Sequence, residues 1–414
     1  MSSHVIGALQ TIATLALAAA ALLGTARLFG ALARRLRQPA VVGEILAGVL
    51  LGPTVLGAVA PDWAGFLFPA QGPAAGALKL LIQLALALFM LTSGMEVDLS
   101  VIGRRRRIVV ALASAGTAIP FALGFGAVWS FPSRFATEGE SSPLLLAFFL
   151  GTALTISALP VIARILKDLG IYRSDLGMVI VGAAFLNDFA GWTLFAVIAG
   201  MLERSDVGGP GLAITLTLGL AFTILMLTIG RSAMDRAIHW IGAGERGSRY
   251  ALALVVSIGL LGSAFTDWLG IHAVFGAFLV GVASSGCTGL PERSRAALRW
   301  FVARLFAPIF FASIGMRADF ATNFDFTLSL WILLLACVGK IGGCGLTARL
   351  FGMSRADAWA AGFALNARGA MEMVLAATAL EVGLIDEPLF VALVVMAFLT
   401  SLVSAPLIQR FVAP

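Results

Sequence analysis

The chain has 414 residues, 60% of them hydrophobic and only 12% charged, with a net charge of +6. Soluble domains run at about half apolar and about a quarter charged, so a water-soluble core is excluded and the solvent is a bilayer. The positive charge does not mark a nucleic-acid surface, because the basic residues fall in short clusters between apolar runs, as in the cytoplasmic loops of membrane proteins.

Apolar segments long enough to span recur thirteen times, near residues 5–33, 39–59, 77–97, 107–131, 143–167, 174–202, 210–230, 249–267, 270–287, 297–316, 327–349, 356–381 and 388–411. The first has no basic stretch before it and is too long for a signal-peptide core, so it reads as a retained helix. The second is the least regular, with Gly-Pro at 52–53. Cys287, Cys337 and Cys344 form no CxxC pair and lie in or beside apolar runs, which reads as small buried hydrophobes rather than a disulfide framework or a zinc site.

The loops give the orientation. Odd loops collect Arg34, Arg35 and Arg37, then Arg104 to Arg107, then Arg164, Lys167 and Arg173, and so on to Arg349 and Arg355. Even loops are poor in basic residues, and the fourth, FPSRFATEGESS, is net acidic. Basic loops stay in the cytoplasm. Thirteen spans with the N-terminus outside and the C-terminus inside satisfy every loop, which predicts a multi-pass plasma-membrane protein, in a bacterium one of the inner membrane.

A faint internal repeat runs through the chain. GTALTISA (151–158) in span five echoes GFALNARG (362–369) in span twelve, and EILAG (44–48) echoes HAVFG (272–276). Both pairs are seven spans apart. Spans 1–6 (1–203) and 8–13 (248–414), with span seven and a cytoplasmic loop as linker (204–247), would then be inverted repeats, an arrangement of secondary transporters whose site lies at the repeat interface.

Charged groups deep in a bilayer cost about 2.5–3.5 kcal/mol each on the insertion scale, so those that remain mark pathways or internal pairs. Here they are Glu44, Asp188, Lys340, Arg368 and Glu372. Asp188, in FLNDFAGW, sits near the centre of span six with no basic residue within helical reach; its neighbour Asn187 offers an amide but no charge. A carboxylate so placed is neutralised by a proton or by a cation, and does not comfortably hold both. Its bland reading is a neutral acid bonded to another helix. In ALTISALPVIARIL, Pro160 disfavours helix at Leu159, and Thr155 and Ser157 stand just before it. That pattern fits either a broken helix whose freed carbonyls and hydroxyls ligate an alkali cation or a proline kink with hydroxyl back-bonding. Lys340, in CVGKIGGCG, would pack closely through its glycines or snorkel. Arg368 and Glu372, four apart, read as a mutual ion pair on one helix, steadying the second broken segment. Glu44, in GEILAG, would line a cation funnel or hold a helix contact. His272 would pack near the end of span nine or sense pH.

The motifs QPAVVGEILAGVLLGPTVLG, SALPVIARILKDLG, FLNDFAGW, GIHAVFGAFLVGV, APIFFASIGMRADF and GFALNARGAMEMV, in this order and over almost the whole chain, resemble the monovalent cation:proton antiporter-2 family. That family includes sodium/proton and potassium/proton antiporters and the glutathione-gated potassium efflux proteins. The resemblance implies an all-α polytopic fold of thirteen helices. It implies a mobile core (about 107–203 and 327–414), where two broken helices, spans five and twelve, cross. It also implies a dimerisation domain (about 1–97 and 248–316), a homodimer in the lipid bilayer, and elevator-like alternating access. The family's ion-carrying aspartate matches Asp188 and its span-eleven lysine matches Lys340. Electrogenic sodium/proton members carry two adjacent aspartates, where this chain has Asn187 and Asp188, which leaves Lys340 without its usual partner. One titrating carboxylate against one monovalent cation is electroneutral exchange, and an amide before the aspartate occurs among the family's potassium/proton exchangers, which favours potassium with sodium close behind. The potassium efflux proteins also carry a soluble nucleotide-binding domain after the last span, and this sequence ends at Pro414.

The expected function is therefore electroneutral exchange of potassium or sodium for a proton, with no cofactor. Asp188, Asn187, Thr155 and Ser157 would form the alkali-cation and proton site, and Lys340, Arg368 and Glu372 would support its charge. A cation channel or an ion-sensing membrane protein without coupled exchange is the alternative. A membrane enzyme is disfavoured, because no HExxH, GxSxG or convergent His/Cys set is present.

Overall fold

The computed structural model describes residues 3–36, 38–96, 105–135, 143–202, 210–241, 245–269 and 273–412. His272, the acidic stretch at 137–142 and the expected boundary at 203/204 lie outside the described residues. Within them the chain is helical, with no strand. In chain order come α1 (Ser3–Arg35), α2 (Ala40–Leu51), α3 (Pro61–Leu67), α4 (Pro73–Met95) and α5 (Arg106–Ser130). Then follow α6 (Pro143–Thr155), α7 (Leu159–Asp168), α8 (Asp175–Leu202) and α9 (Pro210–Leu225), which runs through a π turn (Met226–Gly230) into α10 (Arg231–Ile241). The rest are α11 (Glu245–Trp268), α12 (Ala273–Ser285), α13 (Glu292–Phe301), α14 (Ala307–Arg317), α15 (Phe326–Cys337), α16 (Gly343–Leu350), α17 (Arg355–Leu365), α18 (Ala370–Glu381) and α19 (Glu387–Val412).

Among the described residues nine helices are long and apolar enough to cross a membrane, and α6 and α12 are shorter apolar helices. Large apolar side chains face outward on them: Leu9, Ile12, Leu28 and Leu32 of α1, and Leu80 and Leu84 of α4. In water such a surface would aggregate; in lipid it is the solvated face. This is a multi-pass membrane protein.

Two local features of the sequence take definite form in the structure. The irregularity at Gly-Pro 52–53 is a π turn, Pro53–Gly57, where proline removes a donor from the helical ladder. The basic run after residue 230, read as loop, is the helix α10. It is amphipathic, with Met234 and Ile238 buried one turn apart and Arg236 exposed on the other side of a helix rather than on an irregular connection.

The chain divides into two compact units. The first comprises Met1–Phe29, Gly43–Asp98 and Ala199–Arg317. Its core gathers Ala18 and Leu22 of α1, Ala47 and Leu51 of α2, Leu78 of α4, and Ile309 and Ala312 of α14. α4 packs on α12 with the two backbones nearly touching. A Cβ at Gly94 would stand 2.3 Å from the Phe278 carbonyl oxygen, and one at Gly281 would stand 2.2 Å from that of Leu91. Close approach of this kind replaces the hydrophobic effect as the packing force between helices in lipid.

The second unit comprises Gly30–Val42, Leu99–Ile198 and Ala318–Pro414. α5 packs along α6, α16 against α17, and α15 and α17 against α19. Phe121 and Phe125 of α5 close on Phe148 of α6.

The glycines of α4 make a paired test. Gly94→Ala should lower the apparent melting temperature of the detergent-solubilised protein, by an overpacking cost of about 1–3 kcal/mol. Gly76→Ala, where an added Cβ meets nothing within 4 Å, should leave it unchanged or raise it slightly, by about 0.5–1 kcal/mol. Equal effects from the two substitutions would refute the crossing.

Candidate functional site

In the second unit, two helices are interrupted. α6 stops at Thr155 and α7 resumes at Leu159, so the break is Ile156–Ala158. It therefore precedes the position that Pro160 was expected to disturb. Pro160 is the second residue of α7, where a missing N–H costs nothing. The other interruption, Asn366–Gly369, separates α17 from α18. The two breaks meet, and the Ala158 N–H donates to the Ala367 carbonyl at 3.0 Å.

A broken helix leaves carbonyls without intrahelical donors, and in an apolar medium each such group costs several kcal/mol if left bare. Here each break supplies the cap for the other. The Ser157 hydroxyl donates to the Leu365 carbonyl at 2.8 Å. The Arg368 guanidinium donates through Nη2 to the Leu154 carbonyl at 2.8 Å and through Nη1 to that of Ala153 at 2.9 Å. When GTALTISA is laid on GFALNARG, Ser157 falls opposite Arg368 and Leu154 opposite Leu365. The caps are thus reciprocal at equivalent positions. α19 holds the second break from behind: the Ser401 hydroxyl donates to the Arg368 carbonyl, and Ser404 donates to that of Phe363 at 3.0 Å.

Asp188 is the middle residue of α8 and has no solvent exposure. Its Oδ2 accepts the Leu159 N–H at 3.2 Å. That N–H opens α7, so the carboxylate sits at the positive end of a helix that does not contain it. Its Oδ1 has no hydrogen-bond partner. Thr155 is buried and donates to the Thr152 carbonyl at 2.7 Å. One turn beyond Asp188, a Cβ at Gly191 would lie 2.5 Å from Ile156 Cγ1 and 3.6 Å from Thr155 Oγ1. The first break therefore rests on the face of α8 that follows Asp188.

Asn187 and Lys340 form the neighbouring group. Lys340 lies in a π turn, Val338–Gly342, joining α15 to α16. π turns often re-aim a side chain at functional positions. Lys340 has no exposed surface, so it does not snorkel. Its Nζ donates to Ser157 Oγ at 2.7 Å. The Asn187 amide is oriented by its surroundings. Its nitrogen donates to the Ala113 carbonyl at 2.7 Å and to Thr117 Oγ1 at 3.2 Å, and its oxygen accepts from Lys340 Nζ at 3.0 Å. The opposite orientation would set an NH₂ group against an ammonium. These two oxygens, of Ser157 and Asn187, occupy the place of the lysine partner that the sequence left open. Space for the amide comes from Gly116 of α5, where a Cβ would stand 2.7 Å from the amide oxygen of Asn187 in this orientation.

Arg368 and Glu372 are paired, Nη1 to Oε1 at 3.0 Å, and both are buried. The pairing matches the sequence reading, but its backbone differs. Arg368 lies in the break rather than on the helix, and Glu372 stands in the first turn of α18. From the break, the guanidinium reaches the carbonyl end of α6 while its partner sits at the amide end of α18, each charge against the favourable end of a helix dipole.

Asp188, Asn187, Thr155, Ser157, Lys340, Arg368 and Glu372 thus all belong to the second unit and gather on or beside the two breaks. Glu44 is buried on α2 in the first unit. The sequence reading missed Thr117, Gly116, Ser401 and the Leu365 carbonyl. Only the adjacent Gly116 and Thr117, a small and a polar residue inside an apolar span, left a trace there.

Comparison with known proteins gives a match of residues 18–413 to the family described as "Sodium/hydrogen exchanger, transmembrane". The Na(+)/H(+) antiporter NhaS4 of Synechocystis is 30% identical over 94% of this chain and 95% of its own length. The Na(+)/H(+)-K(+) antiporter GerN of Bacillus cereus is 27% identical over 94% of both. The chain spans about half the length of the plant cation/H(+) antiporters it matches. Among solved structures, the sodium proton antiporter MjNhaP1 of Methanocaldococcus jannaschii aligns over 96% of both chains with a TM-score of 0.63 at 16% identity, a likeness of fold.

The buried pair can be probed by breaking it from one side. Arg368→Met strands Glu372 and uncaps two carbonyls, and should cost about 3–5 kcal/mol, read as loss of folded, monodisperse protein. Adding Glu372→Leu should recover part of that loss. A single variant as stable as the parent would contradict the capping arrangement.

Proposed function

The chain belongs to the transmembrane sodium/hydrogen exchanger family, and from that premise we propose that it exchanges a monovalent cation for a proton at Asp188. The observation that carries this reading is the carboxylate itself: fully buried, braced on one oxygen by a helix N-terminus, and unpartnered on the other.

A buried carboxylate needs its charge compensated. Asp188 forms no ion pair among the described residues, so cargo supplies the compensation: a proton on Oδ1, or a dehydrated alkali cation held by the carboxylate, with the Thr155 hydroxyl as a neighbouring oxygen and Asn187 and Ser157 beside it, engaged with Lys340. Either loaded form is neutral at that point. The empty carboxylate is charged and crosses a low-dielectric barrier poorly. Transport is then confined to full carriers, which makes the process exchange rather than leak. Because Asn187 cannot carry a proton, one proton trades against one cation and no net charge moves.

The fuller architecture in this proposal is thirteen spans in two inverted repeats, with the N-terminus outside. The unit that holds Asp188 serves as the moving core, carrying the site between faces in an elevator motion, and the chain works as a homodimer. The reciprocal caps of the two breaks support the repeats, since equivalent residues do equivalent work in each half. Potassium and sodium both remain candidate cargo. NhaS4 is named for sodium and GerN for sodium and potassium. A channel is the weaker reading, because conduction needs several weak sites in a row and only one unpaired buried carboxylate is present here among the described residues.

In proteoliposomes, cation-driven proton movement should be lost in Asp188→Asn, with the protein still folded. Undiminished exchange would remove Asp188 from the mechanism. Parent exchange should also be electrically silent, its rate unaltered when the membrane potential is clamped with an ionophore. A sustained current or a voltage-dependent rate would refute the one-for-one stoichiometry.

A further inference from the structure

Lys340 presents a problem that exchange at Asp188 does not resolve. An ammonium buried without exposure seeks an anion, and Asp188 and Glu372 are both within electrostatic reach. Yet among the described residues Lys340 ion-pairs with neither, and Glu372 is already held by Arg368. Two carboxylate oxygens of this region are open acceptors, Glu372 Oε2 and Asp188 Oδ1, and Asp188 is the one next in sequence to Asn187, which holds the ammonium. An ammonium resting on Asp188 would be an internal cation occupying the cargo's place.

Two contacts hold it elsewhere: Ser157 Oγ at 2.7 Å and the Asn187 amide oxygen at 3.0 Å. Both holders are fixed in turn. Ser157 spends its proton on the Leu365 carbonyl, which turns its lone pairs away from the second break and towards Lys340. Asn187 is anchored by Ala113 and Thr117. The π turn adds a fixed origin for the lysine stem: a Cβ at Gly339 would stand 3.0 Å from Pro120 Cα, so α5 lies directly against it.

We propose that Ser157 is a positioning residue, whose hydroxyl, with the Asn187 amide, keeps the Lys340 ammonium off Asp188 so that the carboxylate stays free for cargo. This rests on Asp188 being the cargo site, and it gives Ser157 a role other than ligand. It also gives a physical reason for the amide at 187. An amide oxygen attracts an ammonium strongly enough to hold it while adding no second carboxylate to titrate.

The test is a double-variant cycle read by binding, which does not depend on turnover. Thermal stabilisation of the purified full chain by KCl or NaCl, with choline chloride as control, reports apparent cation affinity. Ser157→Ala should weaken that affinity roughly tenfold, about the strength of one buried hydrogen bond to a charged group. Ser157→Thr, which keeps the hydroxyl, should stay close to the parent. In a Lys340→Gln background, Ser157→Ala should change affinity by less than about twofold, since no ammonium is left to fall onto Asp188. If the alanine variant does not fold, Ser157→Cys carries the test, because a thiol still donates weakly to Leu365 but accepts poorly from an ammonium.

A loss that persists in full in the Lys340→Gln background would overturn the proposal and make Ser157 a direct ligand or a simple helix cap. No loss in Ser157→Ala would overturn it too. Cation stabilisation retained in Asp188→Asn would instead overturn the cargo site itself, a separate failure.

Discussion

Much of the second unit depends on two helix ends that cap each other. Interrupting a helix in an apolar medium bares carbonyls and amides that lipid cannot satisfy. The chain meets this cost by bringing two interruptions together and exchanging side chains between them: Ser157 to the Leu365 carbonyl, and Arg368 to those of Ala153 and Leu154. The Ala158–Ala367 backbone bond closes the junction. Neither break is tenable without the other, so the pair forms a single structural element built from segments some two hundred residues apart.

That element places the chemistry. A helix resuming at Leu159 offers its first N–H groups to whatever anion lies before it, and the middle of α8 puts Asp188 there. The negative end of α6 is occupied by Arg368, whose partner Glu372 stands at the positive end of α18. Arg368 and Glu372 balance each other, while the Asp188 carboxylate has no ion pair among the described residues and its Oδ1 has no hydrogen-bond partner. The proposed exchange rests on that carboxylate, whose open oxygen would be filled by a proton or an alkali cation.

The sequence revealed the charges and the interruptions but not their wiring. Asp188, Lys340, Arg368 and Glu372 stood out because each is expensive in an apolar run, a cost set by composition alone. Pro160 and the polar residues before it fit a broken helix and a patched kink equally, and the second break comes with the family resemblance rather than from a local signal; the proline opens the second half-helix rather than ending the first. The pairing of Arg368 with Glu372 followed from their spacing. The unwound backbone beneath Arg368 did not, because a four-residue separation serves a helix and a break-to-helix junction equally well.

What could not be read was contact across the chain. Nothing local says that Ser157 caps a carbonyl 208 residues away, or that Lys340 rests on a serine and an amide. The charge of the stretch after residue 230 reads as a loop, while the spacing of Met234 and Ile238 suits a helix that buries one face. At the site, a polar residue facing another helix and one facing its own carbonyl have the same sequence signature, as Ser157 and Thr155 illustrate.

The central claim is that one buried carboxylate holds either a proton or a metal cation and never both. Proton release on binding tests it most directly. Purified protein in weakly buffered detergent solution, with a pH indicator, is mixed with KCl or NaCl against a choline chloride control. The expected result is release of one proton per cation bound, absent from Asp188→Asn. Cation binding with no proton released, or release that survives the loss of that carboxylate, would contradict it.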